Sequence, residues 1–319
     1  MSRAAIVVNP VKVDLDALRA ALAAAERRHG WEETLWLETT VADPGAGQTR
    51  EALTAGVEVV IAAGGDGTVR TVAEELRNTG VPIALLPSGT GNLLARNLDL
   101  TLADVAHSLT TAFTGADRAI DVGMAELRDE GDGTRHRAFL VMAGAGIDAQ
   151  MIVHTDDGLK ARAGWLAYVK AIGMVLSDKN ELHLRYQLDG GRIHSLRAHT
   201  VLIGNCGSLP ANILLLPDAA VDDGELDIVL LRPEGVLGWL QIVVTVFWEN
   251  GVLRRTTAGR RLLGAGQPAP ALTYLKGREF VLSLSEPHDV ELDGDLFGRA
   301  SSMRVWVDPG ALTIRVPQG

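Results

Sequence analysis

Residues 57–76 read Val-Glu-Val-Val-Ile-Ala-Ala-Gly-Gly-Asp-Gly-Thr-Val-Arg-Thr-Val-Ala-Glu-Glu-Leu, and they determine the class of fold. Val57 to Ala62 is a nearly continuous apolar run, which is typical of a parallel strand covered on both faces. The loop Gly64-Gly65-Asp66-Gly67-Thr68 follows it. From Val69 onward, apolar residues recur at i, i+3, i+4 and i+7, and this spacing predicts an amphipathic helix. A strand, a glycine-rich loop and a helix in this order predict one unit of an α/β fold.

The elements that precede this unit extend the same pattern. Ala4 to Val8 has the apolar composition of a buried strand, and the helix after it is expected to begin at the N-cap residue Asp14. A strand is predicted at Glu33 to Glu38 and a helix at Thr49 to Ala55. The resulting β-α-β-α-β order predicts a doubly wound parallel sheet.

The pattern changes near Met124, where short strand patterns separated by turns such as Asp223-Gly224 and Asp293-Gly294 replace the α/β alternation. We therefore expect two domains. The first is an α/β domain over residues 1–123, completed by residues 311–319. The second is a β-rich, mainly antiparallel domain over residues 124–310. The length of 319 residues agrees with this, because a single hydrophobic core usually stops growing at about 250 to 300 residues.

Composition and charge exclude several classes of protein. The chain has 30 Lys and Arg against 40 Asp and Glu, a formal net charge of -10, and a pI near 5.3. A general nucleic-acid binder needs a basic face, so that class is excluded. The single cysteine, Cys206, rules out an intramolecular disulfide and fits a reducing cytoplasm. The apolar stretch Val236 to Trp248 is shorter than the about 20 residues that span a bilayer, so we expect a soluble or peripheral protein.

The loop Gly64 to Thr68 has the features of a phosphate-binding turn. Glycine lets backbone N–H groups approach phosphate oxygens, and the N-terminus of the following helix carries partial positive charge. Asp66 is unusual there, because a carboxylate repels phosphate unless a cation or an acceptor hydroxyl stands between them; it indicates Mg²⁺ or proton chemistry. Pro87-Ser88-Gly89-Thr90-Gly91-Asn92 is a second such loop after the next strand, and both loops are expected to face one crevice.

Together with Leu93-Leu94-Ala95-Arg96, these two loops resemble the paired signature of the diacylglycerol kinase catalytic family, which includes bacterial lipid kinases and sphingosine kinases. The likeness extends over nearly the whole chain. Its other matching segments are Asn9-Pro10, Asp121-Val122-Gly123, Gly144-Ala145-Gly146-Ile147-Asp148, Pro217 with Asp222 to Asp227, and Asp293-Gly294-Asp295. Asp295 stands where the family more often has Glu, so its carboxylate reaches less far.

The resemblance implies both a fold and a reaction. The N-terminal domain would bind nucleotide like those of phosphofructokinase and NAD kinase, and the C-terminal domain would be β-sandwich-like and take the lipid. The reaction would be transfer of the γ-phosphate of ATP to a lipid hydroxyl, most simply that of diacylglycerol to give phosphatidic acid. A cytoplasmic enzyme with transient peripheral contact at the inner face of the membrane is expected, and a homodimer is compatible with it.

The resemblance also implies roles for individual residues. Asp293 is the candidate general base that takes the proton from the lipid hydroxyl. Asp295, Asp66 and Asp121 would orient that base and hold Mg²⁺ through water. The positions implied to contact ATP are Asn9, Lys12, one of Thr39 or Thr40, Gly64, Gly65, Asp66, Gly67, Thr68, Gly89, Thr90 and Asn92.

Three alternatives stay open on the sequence alone. The Asp222-Asp223 turn offers carboxylates to a structural divalent ion, and a solvated β-turn is an equally good interpretation. An NAD kinase-like small-molecule kinase shares nearly the same first loop, although the second loop with Ala95-Arg96 favours the lipid enzyme. A non-catalytic nucleotide sensor is the third alternative, and it would have no need of Asp66, Asp293 and Asp295.

Overall fold

The computed structural model describes residues 2–128, 133–146, 182–209, 213–235, 238, 242 and 271–318. The helices within these ranges are α1 (Leu15–His29), α2 (Ala46–Thr54), α3 (Asp66–Leu76), α4 (Leu93–Asn97) and α5 (Val105–Thr114). The strands are β1 (Ala4–Val8), β2 (Leu35–Glu38), β3 (Val59–Gly64), β4 (Ile83–Pro87), β5 (Ala116–Arg128), β6 (Thr134–Phe139), β7 (Met142–Ala145), β8 (Leu182–Leu188), β9 (His194–Ala198), β10 (Thr200–Gly204), β11 (Ser208–Leu209), β12 (Ile213–Leu214), β13 (Leu226–Leu231), β14 (Leu272–Gly277), β15 (Glu279–Leu292) and β16 (Asp295–Val316).

The first four strands form the parallel part of the sheet. β1 pairs with β2 on one side and β3 on the other, and β3 pairs with β4. Alternate residues of β1 enter different cores: Ala5 and Val7 pack with α2 and α3, whereas Ile6 packs with α1 and α5. Because helices cover both faces, every residue of β1 is buried, which explains its continuous apolar composition. The predicted doubly wound arrangement is confirmed.

Local capping sets the helix ends, and it shifts the predicted start of α2. Asp14 caps α1 by accepting a hydrogen bond from the Ala17 N–H at 3.0 Å, as expected. Helix α2 begins at Ala46 rather than Thr49, since the Asp43 carboxylate accepts hydrogen bonds from the N–H groups of Gly45 and Gly47. Strand β2 begins at Leu35, two residues later than predicted.

The remaining strands are mainly antiparallel and continue the same sheet. β16 pairs with β15 and β5 in antiparallel fashion, and its Ile314 lies parallel to Ile83 of β4. This long strand therefore joins the parallel and antiparallel parts, and the class of α/β plus mainly-β fold is confirmed. β5 runs through the expected boundary between residues 123 and 124, so the division into two domains stays a prediction.

Some predicted features fall on residues that the structure does not describe. Ile147 and Asp148 of the glycine motif lie outside the described ranges, as does almost all of the apolar stretch 236–248. Across the ranges that are described, no helix has the length and apolar character needed to cross a membrane.

Candidate active site

The loops predicted to bind ATP follow four parallel strands at one edge of the sheet. They follow β1, β2, β3 and β4, and the carboxyl ends of parallel strands are where ligands bind in such sheets. Backbone hydrogen bonds link neighbouring strand ends and loops: the Asn9 N–H donates to the Ala63 carbonyl at 2.8 Å, and the Ser88 N–H donates to the Gly64 carbonyl at 3.1 Å. The edge is therefore a connected surface.

The N-terminus of α3 lies at the centre of this edge. Its N-cap residue, Gly65, has no side chain to accept the first N–H groups of the helix. Thr68 is buried and packs over Gly64, where an added Cβ would lie only 2.7 Å from the Thr68 Cβ. The turn can thus present backbone N–H groups and a helix dipole to an anion.

The second glycine loop packs directly against the first. A Cβ built on Gly89 would lie 2.8 Å from the Gly65 Cα, so the two backbones touch. Asn92 closes the loop on itself: its Oδ1 accepts from the Gly89 N–H at 3.0 Å and its Nδ2 donates to the Gly89 carbonyl at 2.8 Å. Thr90 at the tip is exposed.

Asp66 joins the two loops. Its Oδ1 accepts a hydrogen bond from the Leu93 N–H at 2.6 Å, and a Cβ on Gly91 would lie 2.4 Å from its Oδ2. Burial raises the pKa of Asp66 above its ordinary value, although hydrogen bonds from backbone N–H groups act in the opposite direction. Asp66, the acidic residue of the first glycine loop, therefore also holds the second glycine loop in place.

Asp293 is a buried carboxylate in a tight hairpin. Asp293 and Gly294, at φ 51° and 86°, form the two-residue turn between β15 and β16. The Asp293 carboxylate accepts three hydrogen bonds of 2.8 to 3.0 Å from the N–H groups of residues 140–142. Burial raises its pKa to about 6, while those hydrogen bonds and the nearby charge of Arg70 lower it. The residue is only 5% exposed.

Asp295 lies against the first turn of α3. A Cβ on Gly67 would lie 2.9 Å from the Asp295 Oδ2, and the same oxygen accepts a hydrogen bond from the Arg70 guanidinium at 2.9 Å. Its side chain is 51% exposed, in contrast to that of Asp293. The structure thus brings the predicted Asp293-Gly294-Asp295 turn to the Gly64-Thr68 loop.

The other predicted acidic residues make structural contacts. Both carboxylate oxygens of Asp121 accept backbone N–H groups at 2.7 Å, from Gly224 and Gly310. Asp222 pairs with Arg118 at 2.6 Å. Asp223 pairs with Lys276 at 2.8 Å. Each carboxylate already has donors, and their role in metal binding stays a prediction.

The remaining predicted nucleotide contacts occupy the loops after β1 and β2. The Asn9 Oδ1 accepts from the Val11 N–H, which shapes the first loop, and Lys12 is exposed. Thr39 is buried and its N–H donates to the Val8 carbonyl. The exposed Thr40 is therefore the more accessible of the pair.

Arg70 is a site residue that the sequence analysis missed. It lies on α3, four residues after Asp66, on a helix face that is otherwise apolar or threonine, and its side chain is 9% exposed. A buried arginine needs a partner of opposite charge. An arginine among the apolar residues of this helix could therefore have identified Arg70 as a candidate site residue. Its partner, Asp295, is 225 residues away in sequence.

Comparison with known proteins agrees with this geometry. Residues 3–125 match the model of the diacylglycerol kinase catalytic domain, and residues 141–316 match that of the YegS C-terminal NAD kinase beta sandwich-like domain. The chain belongs to the family of YegS-like lipid kinases, and its N-terminal part matches the diacylglycerol kinase catalytic domain. Membership in this lipid kinase family makes the chain an ATP-dependent kinase, as the paired glycine loops predicted.

Individual relatives of this kinase cover the chain to different extents. A "Probable lipid kinase YegS-like" protein of Pseudomonas fluorescens strain Pf-5 is 32% identical over 322 residues, which are 99% of this chain and 96% of the relative. An uncharacterized protein of Synechocystis is 27% identical over 82% of this chain, and the chain spans only 55% of its length. A solved diacylglycerol kinase structure from Bacillus anthracis shares the fold, with a TM-score of 0.65 at 20% identity, over 98% of this chain and 96% of that one.

Proposed function

We propose that this kinase transfers the γ-phosphate of ATP to the free hydroxyl of a lipid, most directly diacylglycerol, to give phosphatidic acid. The contact between Asp295 and Gly67 carries the proposal, because it puts acidic side chains beside the first turn of α3, where a phosphate binds best. Phosphoryl transfer to a hydroxyl needs this arrangement: donors that hold the phosphates and a base near the attacking oxygen.

ATP would lie along the carboxyl edge of the parallel strands. Its phosphates would bind the backbone N–H groups of Gly64 to Thr68 and of Gly89, Thr90 and Asn92. Its nucleoside would extend toward the loops that carry Asn9, Lys12 and Thr39 or Thr40. The absence of a side-chain cap on α3 supports this placement, since the free N–H groups of the first turn need acceptors.

Asp293 is the proposed general base. An ordinary aspartate is a weak base at neutral pH because its pKa is about 3.9. A pKa of about 6 improves the match between base strength and operating pH. The three backbone donors occupy three of its roughly four acceptor positions, which leaves one for the proton of the lipid hydroxyl. The more exposed Asp295 would orient the acceptor.

Mg²⁺ is proposed to arrive with the nucleotide. This ion usually keeps several waters and binds one or two carboxylates together with substrate phosphates. Asp66 and Asp295 are close enough for the charge of one to act on the pKa of the other. Within the described ranges no three His, Cys, Asp or Glu side chains are grouped to hold a metal ion, which suits an ion shared with phosphates. When bound, Mg²⁺ neutralises charge on the transferring group.

A transient membrane contact would bring the lipid to this edge. Val11 and Val41 are exposed apolar residues in the loops after β1 and β2, and Leu296 is exposed directly after Asp295. Apolar side chains around an active site can dip into the headgroup region of a bilayer. Sedimentation with lipid vesicles should weaken for Val11→Asp and Val41→Asp, and unchanged sedimentation would remove this part of the proposal. Sedimentation equilibrium would decide whether the enzyme is a homodimer.

The test is a comparison of acceptors with γ-labelled ATP. Diacylglycerol, monoacylglycerol, a ceramide-like base and NAD are each supplied with Mg²⁺, and the labelled product is identified by mass spectrometry. We expect label in phosphatidic acid, lost in Asp293→Asn and retained in Asp289→Asn, an exposed aspartate on β15. Label in NAD alone, or in no acceptor, would overturn the proposal.

A further inference from the structure

The first turn of α3 and the β15–β16 hairpin are joined through Arg70. The Arg70 guanidinium donates to the Asp295 Oδ2 at 2.9 Å, and its Cζ lies 4.5 Å from the centroid of the Phe297 ring. A planar guanidinium can stack on an aromatic face and pair with a carboxylate at the same time, and it does both better than the compact ammonium of lysine. Both partners lie at the start of β16, so Arg70 contacts that strand twice.

The same carboxylate oxygen also lies close to the first turn of α3. A Cβ on Gly67 would lie 2.9 Å from the Asp295 Oδ2, so this oxygen is near both the Arg70 side chain and the backbone of the phosphate turn. The Asp295 side chain is half-exposed and would otherwise be free to rotate. The conformation of the Arg70 side chain is already restricted by its burial, so Arg70 can hold the Asp295 carboxylate in one position.

We propose that Arg70 is a positioning residue for phosphoryl transfer, which holds Asp295 on the first turn of α3 and so sets the distance between the acidic hairpin and the nucleotide. This role rests on the proposed function. It also gives a reason for the short acidic side chain: Asp295, one methylene shorter than Glu, fills the space between Arg70 and Gly67. The charge of Arg70 acts in addition on Asp293 and lowers its pKa.

A matched arginine on the same helix provides the control. Arg77, at the C-cap of α3, pairs with Asp308 of β16 at 2.6 Å and is partly buried, although less so than Arg70. Arg77→Met removes an ion pair between the same two elements at the far end of the helix. It should lower stability without changing turnover, whereas Arg70→Met should lower turnover.

The experiment is a double-mutant cycle of Arg70→Met and Asp295→Asn, with kcat and the KM for ATP measured in the lipid-phosphorylation assay. Misplacement of a catalytic group by about 1 Å can cost roughly 100-fold, so we expect each single variant to lose roughly 10- to 100-fold in kcat, with KM within about twofold. The double variant should lose no more than the worse single variant, since both changes break one contact. Arg70→Lys keeps the charge and should recover only part of the loss.

The possible outcomes distinguish the positioning role of Arg70 from the proposed lipid kinase function. Losses that multiply in the double variant, or an Arg77→Met loss in kcat equal to that of Arg70→Met, overturn the positioning role while leaving the proposed function in place. No transfer to any lipid by the wild-type enzyme overturns the proposed function and the role of Arg70 with it. If Arg70→Met does not fold, Arg70→Lys and Asp295→Asn with their double variant form the same cycle.

Discussion

Gly89 and Gly65 touch one another where the two glycine loops meet, and a methyl group added to Gly89 should destabilise the protein far more than one added to Gly65. In Gly89→Ala the new Cβ would lie 2.8 Å from the Gly65 Cα and 3.2 Å from the Asn92 Oδ1. In Gly65→Ala the new Cβ would meet the Gly89 Cα at 3.8 Å, an ordinary contact, and the backbone φ of -89° suits alanine.

The size of the effect follows from these distances. Carbon atoms pack comfortably at about 3.5 to 4.0 Å, so Gly89→Ala must separate the two loops by roughly 0.7 Å or more. The closer atom, the Gly65 Cα, belongs to the backbone, so no rotamer change relieves that clash, and moving the Asn92 Oδ1 away would weaken its hydrogen bond with the Gly89 N–H. Overpacking of this kind costs about 1 to 3 kcal/mol. Gly65→Ala should stay within about 0.5 kcal/mol of wild type, because alanine also restricts the unfolded chain.

Urea-induced unfolding at constant m value gives both free energies. We expect a lower midpoint for Gly89→Ala and little change for Gly65→Ala. Equal stabilities for the two variants, or a less stable Gly65→Ala, would refute the described packing of the loops. Nucleotide binding is a separate readout, since either methyl group also borders the phosphate site.

Four further predictions concern activity against pH, stability against pH, thiol reactivity and the ion pair of Lys276. The log of kcat/KM should rise with pH through about 6 as Asp293 loses its proton, and a profile flat from pH 5 to 8 would remove Asp293 as the base. Because burial raises this pKa from 3.8 to about 6, the ionised form of Asp293 destabilises the fold. Relative to Asp293→Asn, the free energy of unfolding of the wild type should fall by about 3 kcal/mol between pH 3.8 and 6 and stay level above pH 6. A rise in stability between pH 3.8 and 6 would contradict the burial of Asp293. Cys206 is buried, and its pKa is raised by that burial and by the charge of Asp293. A thiol-reactive disulfide reagent should therefore modify Cys206 only as fast as the protein opens locally. Modification at the rate of a free thiol would show that Cys206 is accessible to solvent. Lys276→Met leaves Asp223 and the nearby Asp227 without their ammonium partner, so Ca²⁺ should raise the melting temperature of the variant more than that of wild type, and equal shifts would speak against the described ion pair.

The parts of the fold predicted from sequence are those specified by neighbouring residues. The apolar run before Gly64, the glycines and the helical spacing after Thr68 are all local, and β3, the glycine turn and α3 follow in the predicted order, although β3 lies two residues later and α3 begins earlier, at Asp66. The predicted start of α2 was wrong because Gly45 and Gly47 have low helix propensity. The Asp43 carboxylate offsets this low propensity by accepting hydrogen bonds from the N–H groups of both glycines.

The contacts that assemble the site were less accessible to sequence reasoning. The resemblance to a family identified Asp293 and Asp295, but not what holds them. Asp295 meets Arg70 across 225 residues of sequence, and Asp293 binds N–H groups more than 150 residues earlier. Such pairings depend on the register of β15 and β16, which no local pattern specifies.

The central claim is that the uncapped N-terminus of α3 and the adjoining glycine loop hold the phosphates of ATP while the Asp293-Gly294-Asp295 turn faces them. The most direct test is a crystal structure of the enzyme with Mg²⁺ and a non-hydrolysable ATP analogue. We predict the γ-phosphate on the backbone N–H groups of Gly65 to Thr68, with the Asp295 carboxylate beside it and still paired with Arg70. A nucleotide bound away from α3, or a γ-phosphate that no acidic residue of the hairpin faces, would contradict the account.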